Sequence, residues 1–218
     1  MTACEPIPQV KDLPPVLDPC CGSRMFWFDH KDKRALFCDK RRAYRITDVG
    51  TPGTIGRKPV IVEPDQISDF TAMPFPSNTF ALVVFDPPHL ASLGSSGHYA
   101  AKYGKLIGDW RDELRAGFAE CFRVLRPEGV LIFKWCEYEV PVSQVLALTP
   151  ERPLFGQRCG KQAKTHWIVF MKPTSQPTPS IPLPVRADDR ERVDEKYGWR
   201  RGYSDLDRAF GVDWGNSE

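Results

Sequence analysis

The run Leu82-Val83-Val84-Phe85-Asp86-Pro87-Pro88-His89 constrains this chain more than any other stretch. Its four apolar residues, three of them β-branched or aromatic, read as a short strand buried on both faces, the habit of an interior strand in a parallel sheet. The run stops at a carboxylate, and neither of the prolines that follow can donate to a sheet or continue a helix. Pro88 also biases Pro87 toward extended backbone, so the chain leaves the strand as a stiff loop with Asp86 at its root. Open α/β sheets bind ligands at that edge. A carboxylate, a rigid carbonyl and a flat side chain (Asp86, Pro87 or Pro88, His89) suit the holding of an exocyclic amino group while a ring supports the heterocycle that bears it. An ordinary strand end with a turn is the plainer alternative.

Two earlier stretches repeat the design. Val16-Leu17-Asp18 is a short apolar strand ending in an acid, followed by Pro19, Cys20, Cys21 and Gly22, a loop of small residues that is either a tight turn or the close-approach loop of a nucleotide-like cofactor. Ala35-Leu36-Phe37-Cys38-Asp39 ends in a second acid about twenty residues on, the interval expected for a ribose-binding carboxylate. Gln66 to Phe70 reads as a third short strand with Asp69 at its end, suited to an adenine amino group with Phe70 on the ring face, or to capping a turn. Met25 to Phe28 is strongly aromatic and is expected to pack a short helix onto the sheet. Between Lys40 and Pro64 a hairpin or long loop replaces the usual crossover helix.

Downstream, Asp109 caps an amphipathic helix in which Trp110, Leu114, Phe118, Cys121, Phe122 and Leu125 recur at helical spacing, and Pro127 and Gly129 are expected to end it. Gly129 to Trp135 reads as an interior strand, Val142 to Leu148 as a weaker helix, and Pro153–Arg158 with His166–Met171 as a closing pair. The Gly- and Ser-rich segment Ala91 to Gly108 interleaves lysines with tyrosines, offering phosphate contacts and stacking faces at Lys102, Tyr103 and Lys105. Lys161 and Lys164 lie in a second basic connection, Arg158 to Lys164, which suits a phosphate backbone or a solvated hairpin tip.

The chain has 218 residues and a net charge of +2, so it suits one α/β domain plus a tail and carries no global basic field. Seven cysteines, an odd number without a C-x-x-C pair, point to reduced thiols and to no metal site. No apolar run is long enough for a membrane span, and Glu5, Lys11 and several prolines stand where a secretory signal would be apolar, so a cytoplasmic location is expected. Residues 1–14 read as a leader, 15–172 as the folded domain, and 173–218 as a Pro-rich, charged tail of flexible character in which Tyr197, Trp199, Tyr203, Phe210 and Trp214 offer docking points.

Taken in order, these stations resemble the class I S-adenosylmethionine-dependent methyltransferases, and within them the short phage- and prophage-type amino-methylating enzymes of DNA. Asp18-Pro19-Cys20-Cys21-Gly22 is similar to their first motif, Asp39 falls at the ribose acid, and Asp69-Phe70 at the adenine-contacting pair. Met73-Pro74-Phe75-Pro76 resembles the connector before the catalytic strand, and Arg126-Pro127-Glu128-Gly129 the turn after the helix. Asp86-Pro87-Pro88-His89 matches the Asp-Pro-Pro-aromatic motif at three of four positions, with His89 in place of the aromatic residue. The resemblance implies a Rossmann-like, seven-stranded α/β fold with a mostly parallel, doubly wound sheet. It also implies S-adenosyl-L-methionine as cofactor and methyl transfer to an exocyclic nitrogen of a DNA base, adenine N6 or else cytosine. Asp18, Pro19, Cys20, Gly22, Asp39, Asp69 and Phe70 would hold the cofactor, and Asp86, Pro87, Pro88 and His89 the reacting base. RNA, a small molecule, or a non-catalytic binding role are the alternatives. No large target-recognition domain is visible, so specificity would come from a partner or from the Ala91 to Gly108 loop, or sequence specificity would be low.

Overall fold

The structure is a computed structural model describing residues 13–49, 56–89, 102, 104–106, 108–158 and 164–174. Its elements are β1 (Val16–Asp18), β2 (Ala35–Asp39), β3 (Ala43–Val49), β4 (Gly56–Val62), β5 (Gln66–Ile67), β6 (Phe80–Phe85), α1 (Trp110–Val124), β7 (Leu125–Cys136), α2 (Val142–Leu146), β8 (Phe155–Arg158) and β9 (Thr165–Met171). Seven strands form one sheet in the order β5-β2-β1-β6-β7-β9-β8, and β3 and β4 form a separate two-stranded ribbon. The β5, β2, β1, β6 and β7 pairings are parallel, while β9 runs antiparallel to both β7 and β8. This is the expected Rossmann-like, seven-stranded arrangement. Strand order reverses between β1 and β6, which opens a crevice at their carboxyl ends.

One face of the sheet holds the main core. Leu17, Val83, Phe85, Leu131, Phe133 and Trp135 meet Leu114, Phe118, Cys121 and Phe122 of α1 and Val142, Val145 and Leu146 of α2. Asp109 caps α1 by accepting from the Arg111 amide at 2.9 Å, and Asp112 and Glu113 complement the helix dipole in the first turn. Gly117 lets this helix close on the sheet, because a Cβ there would stand 2.8 Å from both the Phe70 and Phe85 rings. Phe118 lies against Phe85, Phe133 and Phe170, so its truncation to alanine would cost about 3–5 kcal/mol.

Both described helices stand on that face. The opposite face is crossed by the loop after β1, which lays Trp27 on Phe37 and Phe26 on Trp167. The expected helix at Met25–Phe28 is replaced by turns. Arg24 adopts φ 55°, and the Asp29 and Asp32 carboxylates capture the amides of Lys31 and Arg34, which withdraws this backbone from helical bonding.

Other boundaries also shift. The third strand is only Gln66–Ile67, because Asp69 turns back to accept from the Thr71 amide and hydroxyl. The main helix stops at Val124, not at Pro127, and Leu125 already belongs to β7. The sheet claims that backbone through a shifted register between Phe80 and Leu82 and through Lys172, whose amide donates to Gly129.

Candidate active site

β6 and β7 pair in register from Leu82↔Val130 to Phe85↔Phe133, so the next step along both strands sets Asp86 beside Lys134. Both side chains point to the face opposite the main core, where parity along β7 puts Lys134 with Val130 and Ile132. The Lys134 ammonium donates to Asp86 Oδ2 at 2.5 Å, with the two side chains 20% and 13% exposed. It also lies 5.6 Å from the Phe26 ring and 5.8 Å from Trp167, cation–π contacts that fix its position. The second carboxylate oxygen, Asp86 Oδ1, is buried and has no hydrogen-bond partner among the described residues. His89 Nδ1 stands 4.0 Å from it, and the imidazole meets Trp135 edge-on at 6.0 Å. Burial holds the His89 pKa below its ordinary value despite the opposing pull of Asp86, so the ring is neutral at pH 7.

The loop after β1 is braced from inside. Asp18 is fully buried, accepting from Trp27 Nε1 at 2.8 Å and from the Cys20 amide at 3.1 Å. Burial pushes its pKa up to about 7, against the lowering effect of those two bonds. Gly22 takes φ 49°, a conformation that favours glycine, and its amide reaches Asp39 Oδ2 at 3.1 Å. Burial also raises the Cys20 thiol, and the Cys21 thiol to about 12, so neither is a thiolate nucleophile at neutral pH.

Asp39 is occupied on both oxygens. Besides Gly22 it accepts from the Arg41 amide at 2.9 Å and from Arg41 Nε at 3.0 Å. The Arg41 side chain therefore stands over the β2 end. Pro19, Cys20, Asp39, Lys40, Arg41, Phe70 and Pro88 enclose a groove reduced to about 20 Å³. Phe70 is buried against Phe85, with the Lys40 ammonium 5.7 Å above its ring, whereas Asp69 is exposed and engaged in its own turn.

The larger cavity beside Asp86 has a volume of about 180 Å³ and is lined by Cys20, Cys21, Gly22, Ser23, Met25, Phe26, Asp86, Pro87, His89, Lys102 and Lys134. The structure thus gathers Asp86, Pro87 and His89 with Cys20 and Gly22. Pro19, Pro88, Asp39 and Phe70 lie at the neighbouring groove, and Asp69 faces outward. Of the residues expected to hold nucleic acid, Lys102 lines the cavity and Lys105 lies close behind it in sequence. Lys164 is exposed with its ammonium 4.9 Å from the Tyr138 ring, and Tyr103 and Lys161 fall outside the described residues. Lys134, Arg41, Phe26 and Trp167 are additions that the sequence reading missed. The signal for Lys134 was present: a lone lysine inside the apolar run Val130 to Trp135.

Among the described residues no group of three His, Cys, Asp or Glu side chains is placed to hold a metal ion, and no helix is long and apolar enough to cross a membrane. No family model matches the chain, and no curated protein matches it. Solved structures do align. The PH0226 protein of Pyrococcus horikoshii OT3 is 15% identical over 73% of this chain and 81% of its own, with a TM-score of 0.44. The Burkholderia thailandensis 1,6-didemethyltoxoflavin-N1-methyltransferase, solved with 1,6-didemethyltoxoflavin and S-adenosylhomocysteine, is 13% identical over 74% of this chain and 72% of its own, with a TM-score of 0.42. A geranyl diphosphate methyltransferase solved with GPP and sinefungin is 10% identical over 75% and 74%, with a TM-score of 0.38.

Proposed function

We propose that this chain transfers the methyl group of S-adenosyl-L-methionine to an exocyclic amino nitrogen of a nucleobase in DNA, adenine N6 first. The observation that carries this reading is Asp86 Oδ1: a buried carboxylate oxygen left without a described partner at the wall of a 180 Å³ cavity, at the sheet edge where the strand order reverses.

The residues around the neighbouring groove fit the cofactor by their chemistry. Asp39 is an acidic acceptor for ribose hydroxyls, Phe70 gives an aromatic wall, and Gly22, bonded to Asp39 from the adjoining cavity, keeps backbone close and side chain absent. Arg41 occupies this groove and must withdraw, which its partly exposed side chain and two-residue tether to Asp39 permit. Asp18 acts by bracing the loop from beneath. When bound, the cofactor supplies a sulfonium-activated methyl group.

This chain supplies the positioning. Asp86 Oδ1 and the Pro87 carbonyl accept the two amino protons, turning the nitrogen lone pair toward the methyl group. Lys134 pins Oδ2, so the carboxylate cannot rotate away. The neutral His89 ring supports the base, backed by Trp135. As the carbon–nitrogen bond forms and the carbon–sulfur bond breaks, the nitrogen sheds one proton, and Asp86 Oδ1 is the acceptor beside it.

Incubation of DNA and RNA with enzyme and isotopically labelled cofactor, followed by nucleoside mass spectrometry, tests the reading. Labelled N6-methyladenine in DNA is expected, falling by roughly a hundredfold in Asp86→Asn. Label confined to RNA or to a small acceptor would replace the substrate, and near-native turnover by folded Asp86→Asn would remove Asp86 from the chemistry.

A further inference from the structure

The ribbon β3–β4 takes the place of a crossover helix between β2 and β5, and both its ends root at the carboxyl edge of the sheet, since Ala43 follows Asp39 closely and Val62 shortly precedes Gln66. Cross-strand register pairs Tyr44 with Ile61 and Ile46 with Pro59, so these four share a face. Tyr44 is 69%, Ile46 53% and Ile61 46% exposed, while Val60 and Val62 on the other face are buried.

Charge is concentrated here. Lys40 and Arg41 pair with Glu113 and Asp39, and beyond them Arg42 to Val62 contains Arg42, Arg45, Arg57 and Lys58 against one acid, Asp48, in a chain whose net charge is only +2. At the foot of the ribbon lies a groove of about 1030 Å³, walled by Arg42, Pro59 and Ile61 on one side and by Lys31 and Lys33 on the other. Arg24 in this groove is offset by Asp65 at 2.8 Å, and Asp32 by Arg34 at 2.6 Å. Lys31, Lys33 and Arg42 then face Glu63 alone. Gly22 and Ser23 line this groove and the Asp86 cavity alike, so the two adjoin across the loop after β1.

We infer that the β3–β4 ribbon and the groove at its foot are the docking surface for duplex DNA. A two-stranded ribbon has the dimensions to enter a major groove, where Tyr44 and Ile46 offer apolar contact to base edges such as the thymine methyl. Arg57, which the register puts on the Tyr44 face, and Lys31 and Lys33 of the groove meet backbone phosphates, while Arg45 and Lys58 stand on the opposite face with Val60 and Val62. The identity of the polynucleotide rests on the function proposed above, but duplex binding is measurable without turnover.

Anisotropy of a fluorescein-labelled duplex, titrated with full-length protein across a salt series, tests the inference. Lys31→Ala/Lys33→Ala/Arg57→Ala should bind at least about tenfold more weakly, with a salt slope lowered by about 0.9 for each phosphate that the variant no longer neutralises. Tyr44→Ala should weaken binding with the slope unchanged. Calorimetric binding of S-adenosylhomocysteine should match wild type in every variant, which also reports an intact fold. Wild-type affinity and slope in the triple variant and in Lys33→Glu/Arg57→Glu would overturn the docking surface, as would failure of the wild type to bind duplex. The proposed function is judged separately: ribbon-dependent duplex binding without methyl incorporation into DNA overturns the reaction and keeps the surface, whereas incorporation unaffected by the ribbon variants does the reverse.

Discussion

Replacing Asp18 by asparagine should invert its effect on stability between acid and alkaline pH. In the folded chain the Asp18 pKa is raised from 3.8 to about 7 by burial. A raised carboxyl pKa means that the folded state holds a proton which the unfolded state releases, so this contribution is complete below pH 3.8 and disappears as pH rises through 7. A difference of about three pH units corresponds to about 4 kcal/mol lost from wild type between pH 4 and pH 8. Asparagine has no charge to bury, but its amide NH₂ would confront either Trp27 Nε1–H or the Cys20 amide, both of which now donate to Asp18. That mismatch costs about 1–3 kcal/mol at every pH. Asp18→Asn should therefore be less stable than wild type at pH 4 and more stable at pH 8, with equality reached in between. Urea unfolding followed by circular dichroism at successive pH values measures the difference, and contributions from other groups cancel in the subtraction. A stability difference that stays constant from pH 4 to pH 8 would refute the buried-proton argument.

Two further outcomes follow from the same site. Lys134→Met should lower stability by about 2–3 kcal/mol, roughly 5–10 °C in Tm, because it leaves the Asp86 charge unpaired, and adding Asp86→Asn should recover most of that loss; strictly additive single-mutant effects in thermal melts would disprove the coupling. Arg41→Ala should open the groove over Asp39 and tighten S-adenosylhomocysteine binding by roughly tenfold, the worth of one charge-assisted hydrogen bond, and weaker binding in calorimetry would mean that Arg41 contacts the cofactor.

The strand ends were legible because each is a short apolar run cut off by an acid, and Asp18, Asp39 and Asp86 all fall where that pattern puts them. The hairpin was legible for a similar reason, from turn residues between two β-branched runs. What sequence pattern cannot carry is the direction in which a side chain spends its bonds. Asp18 reads as a ligand contact yet points inward to Trp27, a partner nine residues away that no local rule selects. Arg41 looks like a surface cation until it folds back on Asp39. Lys134 becomes the partner of Asp86 only once β6 and β7 are in register, a fact that neither strand holds by itself. The aromatic run at Met25–Phe28 misled because helical propensity there is outweighed by the short-range capture of amides by Asp29 and Asp32.

The strand order also bears on how the chain is made. β9 lies between β7 and β8 although it is the last of the described strands in sequence, so the edge of β7 goes unpaired until Thr165–Met171 has been synthesised. β7 is the longest of the described strands, and Val130 to Phe133 is apolar without interruption. During vectorial synthesis β7 therefore displays an adhesive edge for as long as its own closing strand is still inside the ribosome, and that interval is the one most exposed to pairing with a neighbouring chain.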